Sequence, residues 1–157
     1  GIDSGATILL DGREHEMTNK PGFFLGPTLF DDVSPEMSIY KEEIFGPVLV
    51  VLRVKDFNAA IRLANEHQFG NGVAIFTNQG SKAREFVHSV EVGMVGINVA
   101  IPVPLSFYTF GGWKDSIFGS SNIYGMDGIR FFTRTKTVTA RWVEDDGSIN
   151  LSMPTIK

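Results

Sequence analysis

A mostly parallel α/β fold is what the sequence predicts, and three observations carry that reading. Apolar runs bounded by turn residues alternate with helical patterns between Val48 and Ala100. The helical stretches repeat their apolar residues at i, i+3, i+4 and i+7. Val48 to Val54 is apolar with one interruption, Arg53, the texture of a strand covered on both faces of a parallel sheet. Strand, helix, strand, helix, strand in about fifty residues implies βαβ units.

The elements follow in order. Ala6 to Gly12, "ATILLDG", reads as a short strand closed by the Asp11-Gly12 turn. A polar loop, Arg13 to Gly22, leads to a second strand over Phe23 to Val33. Ser34-Pro35 restarts the chain toward "YKEEIFGPVLVVL", Tyr40 to Leu52, where two glutamates precede a ring, a Gly-Pro pair and the apolar strand. Asp56 is placed to cap a helix that buries Phe57, Ala60, Ile61 and Ala64. Asn71 to Asn78 is a strand, the next helix buries Ala83, Phe86, Val87 and Val90, and Gly93 to Ala100 is a strand again. Ile101 to Gly128 then mixes prolines, glycines and aromatic rings without a period. Such a segment in a compact chain is usually functional or disordered, and its aromatic rings argue against disorder. Arg134 to Trp142 alternates strictly and reads as a strand with no later partner, and the tail beyond it looks frayed.

Composition bounds the function classes. A chain of 157 residues suits one domain, and 43% hydrophobic with 20% charged residues is ordinary globular composition. A net charge of −4 argues against nucleic acid as a general partner. The longest clearly apolar run, Val48 to Leu52, is far too short to span a bilayer. There is no cysteine, so this chain offers no disulfide, thiolate metal site or cysteine nucleophile. The abrupt start at Gly1 leads us to expect a piece cut from a longer protein. His15, His67 and His88 are scattered without metal-ligand spacing, so no metal site is expected, and helix-end or surface roles suit them better. No G-x-G-x-x-G fingerprint is present, and Gly111-Gly112 reads as a tight turn or a close backbone approach.

Glu43 and Phe45 admit two readings from the residues alone. Glu43 is either a solvated charge at a strand entrance or a carboxylate on a binding lip. Phe45 is either core or a ring facing a ligand. Ligands bind at the mouths of open parallel sheets, and Pro47 stiffens the chain behind the ring.

Five segments carry a resemblance that weighs these readings. "KEEIFGPV" (Lys41 to Val48), "GNGVAIFT" (Gly70 to Thr77), Val92 to Asn98, "FGGWK" (Phe110 to Lys114) and "TRTKTVT" (Thr133 to Thr139) resemble, in order and at similar spacing, the NAD(P)-dependent aldehyde dehydrogenase superfamily. Where most members follow "FGG-x-K" with a Ser-Gly-x-Gly-Arg-Glu-like segment, this chain has "DSIFGSSNIYG". Together with "GINVAIPVP" and "IRFFTRTKTVTARW", that departure looks like the CoA-acylating methylmalonate-semialdehyde dehydrogenase branch.

The resemblance implies a C-terminal fragment in which residues 1–123 belong to the catalytic domain, 124–143 to an oligomerisation segment and 144–157 to a flexible tail. It implies NAD as cofactor, held by Glu43 on the nicotinamide-side ribose and by Phe45 against the nicotinamide. Ile101, Pro102, Phe107 and Phe110 would wall the aldehyde tunnel, and Asn98 and Pro47 would give structural support. Methylmalonate or malonate semialdehyde would be oxidised with CoA as co-substrate, giving propionyl-CoA or acetyl-CoA. The catalytic cysteine would lie upstream, so no catalytic residue is expected here and the chain alone should be inactive. Residues 134–142 would join a homo-oligomer, a dimer of dimers, as a terminal strand. The location would be cytoplasmic in a bacterium and the mitochondrial matrix in a eukaryote. Two other readings stay open: a hydrolytic semialdehyde dehydrogenase, and a non-catalytic oligomerisation module.

Overall fold

The structure, a computed structural model, describes residues 1–142. Strands β1 (Thr7–Leu10) and β2 (Thr28–Asp31) precede a one-turn helix, α1 (Ser38–Lys41), and strand β3 (Val48–Val50). Helix α2 (Phe57–Glu66), strands β4 (Phe69–Gly70) and β5 (Gly72–Ile75), helix α3 (Gly80–Ser89) and strand β6 (Met94–Ile97) follow. The short strand β7 (Trp113–Lys114) and helix α4 (Gly125–Phe132) complete the order.

Parallel pairing appears in two places. β2 runs parallel to β3, with Leu29 opposite Leu49. β5 runs parallel to β6 through α3, from Gly72 opposite Met94 to Ile75 opposite Ile97, a βαβ unit. The other two pairings, β1 with β2 and β4 with β7, are antiparallel. Among the described residues the single sheet expected from the alternation is therefore three pieces, and β3 pairs with β2 rather than β5.

The core sits on one face of the β5–β6 pair. Phe86, Val90 and Val92 are buried there against Val73, Ile75 and Val95, with Phe57 and Ile61 reaching in from α2. The Asp56 carboxylate accepts from the Ala59 amide (2.7 Å), as its capping position predicts. The apolar stripe of α3 buries Ala83, Phe86 and Val90, but Val87 lies at its margin and is exposed. Gly72, Ala74 and Gly96 line the opposite face, where Pro102 folds over. A Cβ at Gly96 would meet the Val99 carbonyl at 2.5 Å, so only glycine lets the chain turn back this closely.

Several elements are shorter than their apolar runs. β2 starts only at Thr28, because Pro27 has no amide to give the ladder, and Phe23 is fully exposed. β3 ends at Val50 rather than Val54. The left-handed backbone of Asp32 (φ 54°) breaks the regular ladder of the partner strand, and beyond it only the Val33 amide still donates to Val51 (3.1 Å). Leu49 is 64% exposed, so among the described residues nothing covers the outer face of β3. At the end of β2 the nearly buried Asp31 carboxylate pairs with the Arg53 guanidinium and accepts from the Asp32 amide. The guanidinium, and then the amide, hold its carboxyl below the usual carboxylate range.

Helix α4 was not legible in advance, since Gly125 and Gly128 weaken its helical pattern and Tyr124 offers no capping side chain. Arg134 to Trp142, expected as a strand, is exposed and unpaired among the described residues. A strand needs a ladder partner, and none reaches it among the described residues. The tail assigned to 144–157 lies outside the described residues. No helix among those described is long and apolar enough to cross a membrane.

Candidate functional site

Glu43 and Phe45 stand on a lip between α1 and β3, and both are exposed. The lip is fixed at each end. The Glu42 amide donates to Ser38 (2.9 Å) to close α1, and the Pro47 carbonyl accepts from the Thr28 amide (2.8 Å) where β3 enters its sheet. Between these anchors the Gly46 amide donates to Ile44 and the Val48 amide to Gly46, two successive three-residue turns. Phe45 sits at the tip of the first and is 95% exposed. A carboxylate and a ring are thus held out from a segment anchored at both ends. The carboxylate can accept from two neighbouring hydroxyls, and the ring can lie against a flat ligand.

The second group of predicted residues follows β6. Asn98 is left-handed (φ 56°), and its side chain brackets Thr77, accepting from the Thr77 amide (2.9 Å) and donating to its carbonyl (3.1 Å). This ties the loop after β6 to the end of β5. Ile101 is exposed, whereas Pro102 packs down on Gly72 and Gly96. Phe107 is exposed beside Tyr108, and Phe110 is half-buried against Tyr124 (5.5 Å between ring centroids). Helix α4 braces this loop: the Thr109 hydroxyl donates to Asp127 (2.8 Å) and the Gly125 amide to Ser106 (3.3 Å).

The lip and the loop border separate cavities. A groove of about 460 Å³ beside the lip is lined by Leu10, Pro27, Leu29, Gly46, Pro47 and Leu49. A cavity of about 290 Å³ behind Phe110 is lined by Asn71, Ser116, Ile117, Asn122 and Ile123 among others. Gly111 and Gly112 make the close backbone approach that the sequence allowed, with the Gly111 carbonyl against Gly93 and Gly112 against Asn71.

One cluster escaped the sequence reading. His67, the C-cap of α2, accepts from the Phe69 amide at Nδ1 (3.1 Å) and meets the Tyr40 carbonyl with Nε2 (2.9 Å). Its ring is edge-on to Tyr40 (4.7 Å between centroids). Lys114 donates to the carbonyls of Asn65 (2.6 Å) and His67 (3.1 Å). Burial, and secondarily the Glu66 carboxylate, push the Tyr40 phenol up. Only the "FGGWK" motif signalled Lys114, and no spacing in the sequence connects it with α2.

Comparison with known proteins adds the family context. The profile of the aldehyde dehydrogenase family matches residues 1–138. The chain is 54% identical over 143 residues to a malonate-semialdehyde dehydrogenase of Pseudomonas aeruginosa, covering 90% of this chain and 29% of that protein. It is 47% identical over 142 residues to malonate-semialdehyde dehydrogenase 2 of Bacillus thuringiensis, with the same coverage. Among solved structures it is similar to a methylmalonate-semialdehyde dehydrogenase from Oceanimonas doudoroffii, with TM-score 0.87 and 51% identity over 91% of this chain and 30% of that one. It is also similar to a Mycobacterium tuberculosis aldehyde dehydrogenase complexed with NAD+, with TM-score 0.74 and 34% identity over 85% and 27% of the two chains. The chain thus spans about three-tenths of the length of the curated relatives it matches.

Proposed function

The chain belongs to the aldehyde dehydrogenase family, and from that premise we propose that it supplies the cofactor lip and aldehyde-tunnel wall of an NAD-dependent, CoA-acylating oxidoreductase. Its substrates are malonate or methylmalonate semialdehyde, and its products acetyl-CoA or propionyl-CoA. The observation that carries this reading is the exposed Glu43–Phe45 pair on a lip anchored at both ends, in a chain 54% identical to a malonate-semialdehyde dehydrogenase.

Glu43 accepts hydrogen bonds from the nicotinamide-side ribose hydroxyls, and Phe45 fixes the orientation of the nicotinamide ring. Pro47 holds the lip at the entrance of β3. NAD held there would supply the acceptor for the hydride that leaves the aldehyde carbon. Asn98 holds the start of the loop whose residues Ile101, Pro102, Phe107 and Phe110 wall the aldehyde side and limit water there. The attacking thiolate comes from outside these 157 residues, which contain no cysteine. The chain alone is therefore inactive, and a complete dehydrogenase pairs it with a cysteine-bearing segment. Residues 134–142, exposed and unpaired among the described residues, add as a strand to a second subunit.

Product analysis tests the reading. The complete dehydrogenase is given malonate semialdehyde and NAD, with and without CoA, and products are identified by mass spectrometry. Acetyl-CoA formed together with NADH is the expected result. Free acid formed at the same rate with or without CoA would favour the hydrolytic alternative. NADH production by the purified 157-residue chain that survives repurification would overturn the division of labour.

A further inference from the structure

The lip starts at the end of α1, a helix of only four residues. So short a helix cannot hold its own C-terminal carbonyls in place. Two of them are taken by side chains from the turn after α2: Tyr40 O meets His67 Nε2 (2.9 Å), and Lys41 O accepts from Gln68 Nε2 (3.0 Å). The contact is returned, since the Tyr40 hydroxyl donates to the Leu63 carbonyl in α2 (3.2 Å). The His67 ring is oriented from both sides. A carbonyl at Nε2 can only accept and an amide at Nδ1 can only donate, so the neutral Nε2–H form satisfies both.

That turn is itself held from elsewhere. The last turn of α2 contains no basic residue, although a helix C-terminus favours a cation. Lys114 provides it, placing its ammonium on the Asn65 and His67 carbonyls. Lys114 lies in β7, paired with Phe69 of β4, four residues after Phe110. Its backbone is left-handed (φ 53°), which is uncommon for a side-chain-bearing residue and limits how it can shift.

We infer that Lys114, His67 and Gln68 are positioning residues that set the Glu43–Phe45 lip relative to the aldehyde-wall loop ending at Phe110. The connection runs from β7 to the turn after α2, then to the end of α1, and then to the lip. This rests on the reading of the lip as a cofactor site, and it adds that the cofactor and aldehyde sides of that site are coupled through three side chains that touch neither ligand.

The experiment uses the complete dehydrogenase, with Lys114→Met and Gln68→Ala made alone and in combination with Glu43→Gln. Amide hydrogen exchange over residues 42–48 reads the position of the lip, and steady-state kinetics read KM for NAD separately from kcat. Lys114→Met should speed exchange in the lip and raise KM for NAD roughly two- to thirtyfold. In the Glu43→Gln background that factor should shrink toward one, because both changes act through the same carboxylate. Gln68→Ala removes one hydrogen bond at an exposed position and should give the same pattern in smaller measure, even if Lys114→Met fails to fold. Unchanged exchange in the lip, or the same KM factor in both backgrounds, would overturn the inference. Wild-type NAD kinetics in Glu43→Gln would instead remove the cofactor role of the lip, and the exchange measurement would still decide whether the relay exists.

Discussion

Phe86 and Phe45 are the same residue in opposite settings. Phe86, on α3, is 6% exposed and sits in the core against β5 and β6, whereas Phe45, at the tip of the lip, is 95% exposed. Around Phe86 the chain is organised by periodic apolar contacts and a regular parallel ladder. Around Phe45 it is organised by backbone anchors at Ser38 and Thr28 and by side chains arriving from the turn after α2. The comparison teaches that burial secures the scaffold, while a few polar contacts aim the residues that face outward. Loops on rigid supports commonly carry binding in this way.

The largest predicted effect contrasts the two rings. Phe86→Ala in the complete dehydrogenase should cost about 3–5 kcal/mol by opening a cavity in the core. Phe45→Ala should change stability by no more than about 0.5 kcal/mol. Denaturant unfolding of both variants makes the comparison, and equal losses would break it.

A middle-sized effect is expected at Asn98, which belongs to both settings because it ends the ladder and begins the outward loop. Removing its two hydrogen bonds to Thr77 by Asn98→Ala should cost about 1–3 kcal/mol. It should also raise proteolytic cleavage within residues 99–104. Asn98→Gly should lose the same bonds yet tolerate the left-handed backbone better, so it should unfold later than the alanine variant.

The smallest effect concerns pH. Asp31 titrates in the folded chain below its ordinary value of 3.8 because Arg53 and the Asp32 amide favour the carboxylate. A lowered folded value stabilises above the unfolded value and loses that contribution as pH falls through the folded one. The stability gap between the parent and Asp31→Asn should therefore be constant near neutrality and shrink as pH drops below 3.8. A gap that widened with acid would contradict the ion pair.

The sequence disclosed what has a period. The Asp56 cap, the Phe57–Ile61 face, the Ala83, Phe86 and Val90 stripe and the β5–α3–β6 crossover all follow from spacing. It was a poor guide to lengths. The run to Val54 reads as one strand, but the regular ladder stops where the left-handed Asp32 interrupts its partner. Helix α4 was hidden by its two glycines. At the site, Glu43, Phe45 and Asn98 stood out through motif resemblance, since an exposed carboxylate has no pattern of its own. The link from Lys114 to α2 was invisible because it joins residues 47 and 49 positions apart through carbonyls, which every residue has.

The most direct test of the account is Glu43→Gln in the complete dehydrogenase, with NAD kinetics and thermal unfolding measured on the same preparation. The amide keeps the size of the side chain but loses charge-assisted acceptance, a loss of about 1–3 kcal/mol. The account predicts kcat/KM for NAD lowered roughly five- to 150-fold with an unchanged melting temperature. Wild-type NAD kinetics in the folded variant would contradict it and return Glu43 to a solvated charge at a strand entrance.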